Sequence, residues 1–168
     1  MNTCNNKLLL VIIILLCVGR LFAIEPAKVR FQCNIHTINK TEGQTHFRSL
    51  DDEFGGCCLI EKSKHKNEQV GYMGLLLIKD SFSGNIWAYD LLCPTCEEKG
   101  VMRAIRMQTE IVARCEVCHS EWQNIHMGSA GQTNDEGKFW LICYKTELIG
   151  DTLIISNWSD NTEDYGRE

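Results

Sequence analysis

The sequence predicts an all-β protein of stacked antiparallel sheets with a small metal-binding loop subdomain, and three observations carry that prediction. Residues 29–35, Val-Arg-Phe-Gln-Cys-Asn-Ile, alternate apolar and polar side chains at period two, as a half-buried strand does. No long amphipathic helix can be traced in the chain; short apolar runs with turn residues between them take its place. Four cysteines stand as two C-x-x-C pairs, Cys93-Pro94-Thr95-Cys96 and Cys115-Glu116-Val117-Cys118, with eighteen residues between the pairs, the spacing of a tetrathiolate metal site.

The elements follow in order. Lys7 precedes an unbroken apolar run over residues 8–18, the length of a signal-peptide core and short for a bilayer span. Residues 1–23 are therefore expected to be a signal peptide or an N-terminal anchor, with cleavage after Ala23. Cys17 follows Leu16, whereas a lipoprotein box has a small residue at that place. Residues 24–168 are expected to form a single domain, frayed and acidic from about Ser159. The net charge of −5 argues against nucleic acid as a partner.

Within that domain, residues 37–53 are polar and predict a loop. A strand at 58–60 leads into the charged Glu61-Lys62-Ser63-Lys64-His65-Lys66, expected to be a solvated hairpin tip. The continuous apolar run 71–78 predicts a strand buried on both faces. A turn at 81–85 precedes a strand at 85–90 that feeds directly into Cys93. Strands at 101–107 and 109–115 place both cysteine turns at strand ends. Residues 138–145 and 151–156 are expected to close the chain as a hairpin around Leu148-Ile149-Gly150-Asp151.

Of ten cysteines, Cys4 and Cys17 fall in the leader and four form the paired motif. Cys33, Cys57, Cys58 and Cys143 remain. In an oxidising compartment an even remainder suggests disulfides, with Cys33 and Cys143 as candidate neighbours, while each alone also reads as a small buried hydrophobe. Cys57 and Cys58 are adjacent in a predicted strand and should point to opposite faces.

Each C-x-x-C pair can wrap a tight turn around one ion, and the hairpin between them can bring the turns face to face. Cys93, Cys96, Cys115 and Cys118 would then close a tetrahedron around zinc or iron. Two other uses of these thiols stay open. They can pair as disulfides, or Cys115-Glu116-Val117-Cys118-His119 can attach c-type haem, with His119 as axial ligand and His126 or Met127 as weak candidates opposite it. Trp87, Trp122 and Trp140 are expected to be core or cover for the metal loops. Asn39-Lys40-Thr41 and Asn157-Trp158-Ser159 match the glycosylation pattern, a short match that arises often by chance. No nucleophile elbow, zinc-protease helix or phosphate loop is present, so catalysis has no support.

The run Ile86-Trp87-Ala88-Tyr89-Asp90-Leu91-Leu92-Cys93-Pro94, a hairpin, Ala113-Arg114-Cys115-Glu116-Val117-Cys118, then Trp122 and Gly128-Ser129-Ala130-Gly131 before a final strand pair, resembles a Rieske iron–sulfur domain, most of all the small exported bacterial kind. The resemblance covers about residues 29–156. It implies stacked sheets, a cluster-binding subdomain at roughly 90–131, residence in the periplasm or cell envelope, a protein partner there, and membrane association through the N-terminus if the leader stays attached. The ligands depart from the family. Thr95 stands where the first histidine belongs and Cys118 where the second belongs, while Cys96 restores the count of four. Two thiolates in place of two imidazoles lower the potential of any iron–sulfur cluster. The expected function is a metal-stapled structural or binding module, with an electron-transfer protein as the alternative.

Overall fold

In the computed structural model of the chain, residues 27–38, 50, 55–63, 65–96, 99–107, 110–128 and 140–157 are described. The predicted leader with Cys4 and Cys17, the Asn39-Lys40-Thr41 sequon, Ser129 to Gly131, Lys138, Trp158 and the acidic tail from Ser159 lie outside them. The described residues form β1 (Val29–Asn34), β2 (Gly56–Ile60), β3 (Gln69–Val70), β4 (Leu75–Lys79), β5 (Ile86–Asp90), β6 (Met102–Met107), β7 (Glu110–Cys115), β8 (Glu121–Trp122), β9 (Cys143–Ile149) and β10 (Thr152–Ser156), with one 3-10 turn at Ile125–Met127. The all-β expectation holds. Seven strands make one antiparallel sheet in the order β2-β4-β5-β9-β10-β1-β3, and β6-β7-β8 make a second.

The larger sheet curls until its two edges share one interior. Cys58 and Ile60 of β2 and Val29 and Phe31 of β1 pack into the same core, together with Leu75, Leu77, Ala88, Tyr144, Leu153 and Ile155. The opposite face of β4 and β5 is covered as well. Leu76, Ile78 and Tyr89 form a second core with Met102, Ala113, Trp122 and Ile125, which come from the smaller sheet and the segment after it. Leu75, Leu76, Leu77 and Ile78 are therefore all fully buried, which is why β4 shows a continuous apolar run where a one-faced strand alternates. Each such side chain contributes roughly 1.5–3 kcal/mol of apolar burial. The same pleat sends Cys57 into the second core and Cys58 into the first, as their adjacency in a strand requires.

Several expectations need correction. The apolar run 71–78 is not one strand, because Gly71 and Gly74 take φ of 80° and 114° and turn the chain before β4 starts at Leu75. Residues 61–66 do not form a hairpin tip: β2 pairs with β4 and β3 pairs with β1, so this segment links two separate partners. Glu61 at its start is ion-paired to Arg103 of β6. The first strand of the last hairpin lies later than expected, with β9 starting at Cys143, while its turn at Gly150 and Asp151 falls inside the expected segment. Cys33 and Cys143 cannot pair, since Cys33 packs on the first core and Cys143 on the second. Neither is in a disulfide, nor are Cys57 and Cys58, and burial raises the pKa of all four. They act as small apolar side chains. Trp122 is fully buried, but Trp140 is 60 % exposed and covers nothing in the described core. Asn157 accepts the Val29 N–H at 2.8 Å and donates to the Ala27 carbonyl at 2.8 Å, so its amide ties down the entry to β1.

One buried charge joins the sheet to the metal loops. Asp90 ends β5 with no exposed surface. Its Oδ2 accepts the Tyr72 N–H at 2.7 Å and the Tyr144 hydroxyl at 2.6 Å, and its Oδ1 accepts the N–H groups of Leu92 at 2.8 Å and Met73 at 3.3 Å. A Cβ on Gly71 would lie 2.3 Å from Asp90 Oδ2, so glycine is required where this turn meets the carboxylate. Removing the acceptor strands several buried donors at once, whereas removing one donor leaves the others in place. Asp90→Ala should cost about 3–5 kcal/mol and Tyr144→Phe about 1–2 kcal/mol in urea denaturation. Equal effects of the two substitutions would contradict this account.

Candidate metal centre

The two cysteine loops are closed by the same kind of backbone bond. The Cys93 N–H donates to the Gly100 carbonyl at 2.8 Å, and the Cys115 N–H donates to the Ser120 carbonyl at 3.0 Å. Inside each loop a non-glycine residue turns the chain with positive φ, Lys99 at 54° and His119 at 60°. The loops are tied together through the hairpin. The Glu116 N–H reaches the Val101 carbonyl at 3.0 Å, and Leu92 pairs with Val101 across an isolated bridge. Arg103 adds an ion pair to Glu116 at 3.1 Å beside its contact with Glu61, so one cation links the loop after β2 to the second cysteine loop.

This framework brings three sulfurs to one place. Those of Cys93, Cys115 and Cys118 lie within 4.8 Å of one another. Cys93 Sγ and Cys118 Sγ, from different loops, are 3.6 Å apart. Two thiolates on a tetrahedral zinc with bonds of about 2.3 Å stand about 3.8 Å apart, so this spacing fits one shared ion. The Val117 and Cys118 N–H groups point at Cys115 Sγ from 3.4 and 3.5 Å, a cradle that favours its thiolate form. Cys96 is not within that tight group. It stands beside Cys115 instead: a Cβ built on Gly100 would lie 2.4 Å from Cys115 Sγ and 3.0 Å from Cys96 Sγ. The missing side chain of Gly100 thus leaves the space that both sulfurs border. Thr95 and Ser120 complete the surroundings. Thr95 Oγ1 is 3.3 Å from Cys93 Sγ and 3.6 Å from Cys118 Sγ, and Ser120 Oγ is 3.3 Å from Cys118 Sγ.

The thiols differ in charge state. Burial pushes the Cys93 pKa up to about 12 and also raises that of Cys115. Burial opposes the Cys118 thiolate too, but hydrogen bonds from the Ser120 side chain and backbone and from Thr95 outweigh it and bring its pKa down to about 6. Of the histidine and methionine named for a haem, His119 and Met127 are exposed and His126 is half-buried. Gly100, Thr95, Ser120 and Arg103 were not singled out as site residues from the sequence. A glycine and two hydroxyl residues near a cysteine pair carry no signal of their own until the loops close. The chain matches no family model, no curated protein and no solved structure.

Two outcomes follow from this geometry. Gly100→Ala should weaken zinc binding about tenfold or more, as loss of a supporting residue around a metal commonly does. Competition against a chromophoric chelator measures it, and unchanged affinity would show that the space at Gly100 is irrelevant. Loading should also release protons, because Cys93 and Cys115 are thiols near neutrality and ligate as thiolates. Zinc affinity should therefore rise with pH. Calorimetry in buffers of different ionisation enthalpy reads the proton count, and a count of zero would contradict the raised pKa values.

Proposed function

We propose that the protein is a metal-binding module in which Cys93, Cys96, Cys115 and Cys118 hold one tetrahedral ion, zinc or iron, that staples two loops onto the face of a curled β-sheet. The convergence of three sulfurs from two loops within 4.8 Å carries this reading. Cys96 reaches the ion by a movement of its own short loop, and its place beside Cys115 supports that assignment. When bound, the ion supplies loop closure and, if it is iron, one-electron redox chemistry. The chain's own residues hold it, shield one side of it in the second core and supply N–H and hydroxyl groups to the sulfurs.

The likeness to Rieske domains is part of the proposal. It is supported by the order of parts and by a small three-stranded sheet that bears both cysteine loops beside a larger one. Export to the periplasm or envelope and a protein partner there rest on that likeness and on the apolar run at 8–18. A c-type haem fits poorly, because a thioether link needs an accessible thiol and Cys115 is fully buried behind its loop.

Metal analysis and colour decide the ion. A colourless protein with one zinc per chain is the expected result, and a visible chromophore in protein purified without oxygen would favour the electron-transfer alternative. Each single Cys→Ser substitution among the four should lower metal content and melting temperature. Structural zinc contributes on the order of 10 kcal/mol, coupled to ordering of its ligand loops. Chelation should accordingly raise amide exchange in loops 93–100 and 115–120 while β4, β5 and β9 stay protected. Identical exchange with and without chelator would rule out a staple.

A further inference from the structure

The four cysteines are not equally enclosed. Cys93 and Cys115 are 1 % and 0 % exposed and belong to the second core with Met102, Ala113 and Trp122. Cys96 is half-buried, and Cys118 is exposed. The residues flanking Cys118 are open as well: Glu116, Val117 and His119 all face solvent. The backbone anchors follow the same division. Cys115 is the last residue of β7 and Cys93 is pinned to Gly100, while the Cys118 N–H is met only by Cys115 Sγ among the bonds that shape this loop. Cys118 can therefore leave a bound ion by turning its own side chain, with both sheets unmoved.

Around that exposed corner the chemistry suits exchange. The negative charge of Glu116, next in the loop, is met by Arg103 at 3.1 Å, so it does little to repel an incoming thiolate. Val117, 47 % exposed, offers an apolar contact beside the sulfur. Ser120 and Thr95 hydroxyls stand 3.3 and 3.6 Å from Cys118 Sγ, placed to donate to it once its metal bond is gone. Two of the four sulfurs are enclosed, Cys96 is half-buried and Cys118 faces solvent, so an incoming ligand meets Cys118 first.

We propose that the centre hands its metal to a dithiol acceptor by ligand exchange that begins at Cys118. This rests on the metal site proposed above and adds an activity to it. In the first step an acceptor thiolate donates its electron pair to the metal as the metal–Cys118 bond breaks. Cys118 keeps the pair of that bond as a thiolate. No electron is transferred; protons leave the acceptor thiols as they bind and return to the donor cysteines as these are released. The acceptor's second thiolate then displaces a second cysteine in the same way, and two waters take the places of the last two cysteines as those bonds break. The acceptor chemistry that fits is a pair of cysteines at C-x-x-C spacing on an accessible peptide, since the first bond holds the second thiolate at high local concentration.

The test uses the full chain loaded with zinc and a synthetic apo peptide that carries one C-x-x-C pair. Transfer should quicken in proportion to peptide concentration, doubling when the peptide is doubled, and a serine version of the peptide should have no effect. Quenching the mixture early with N-ethylmaleimide and mapping the label should show Cys118 modified first. A transfer rate independent of peptide concentration would mean that zinc leaves by simple dissociation and would overturn the proposal. First labelling at Cys93 or Cys115 would overturn it as well. If zinc is retained on desalting but either result is negative, only the exchange activity falls; if zinc is not retained at all, the metal site falls and the exchange with it.

Discussion

A carboxylate with no exposed surface sets the course of the chain between the large sheet and the cysteine loops. Asp90 sits where β5 leaves the ladder, and its two oxygens gather donors from the turn before β4, from the exit toward Cys93 and from β9. A buried charge of this kind is tolerated only when its lone pairs are filled, and here they are filled by groups that define the local path. The backbone agrees with it. The Asp90 N–H donates to the Ile142 carbonyl at 2.9 Å and the Leu91 N–H to the Gly74 carbonyl at 3.0 Å, so the strand ends with its polar groups paired on both sides. Cys93 follows three residues later with little freedom left in where it can go.

The second consequence is a shared wall. Because β4 and β5 are covered on both faces, the small sheet that carries the second cysteine loop rests on the same strands that close the interior of the large one, through the side chains of their opposite face. Tyr89 shows the coupling: its ring packs in the second core and its hydroxyl donates to the Ile125 carbonyl at 2.8 Å, in the 3-10 turn after β8. Packing at this density transmits displacement, so a change in β4 or β5 reaches the metal loops without touching a cysteine. Gly128 is a further contact of this kind, since a Cβ there would meet the Trp87 ring at 2.6 Å.

At the metal centre, enclosure and charge run in opposite directions. The sulfurs most buried are those that burial keeps protonated, and the exposed one is a thiolate stabilised by hydroxyls. In the proposed site a divalent ion would reconcile them, because its charge would outweigh the desolvation of two thiolates and it would organise the third. With the four thiolates proposed, the site would carry excess negative charge. Such charge would favour zinc or the oxidised state of iron and would separate this arrangement from a histidine-ligated cluster.

How far the sequence reaches can be seen residue by residue. The all-β class, the two-sided burial of β4, the opposed faces of Cys57 and Cys58 and the presence of two C-x-x-C turns at strand ends were all legible, because each depends on side chains a few positions apart. Asp90 was legible only as the end of a strand; that it is buried and paired with Tyr144, 54 residues away, came from the structure. The separation of Cys33 from Cys143, the reach of Arg103 to Glu61 across 42 residues, the space at Gly100 and the exposure of Cys118 among its enclosed neighbours came from the tertiary structure alone. Periodicity and spacing are local properties and determine which elements form and which residue types they present. Which face meets which core, and which sulfur is left facing solvent, depends on how those elements stack, and that is decided only by contacts between segments distant in the chain.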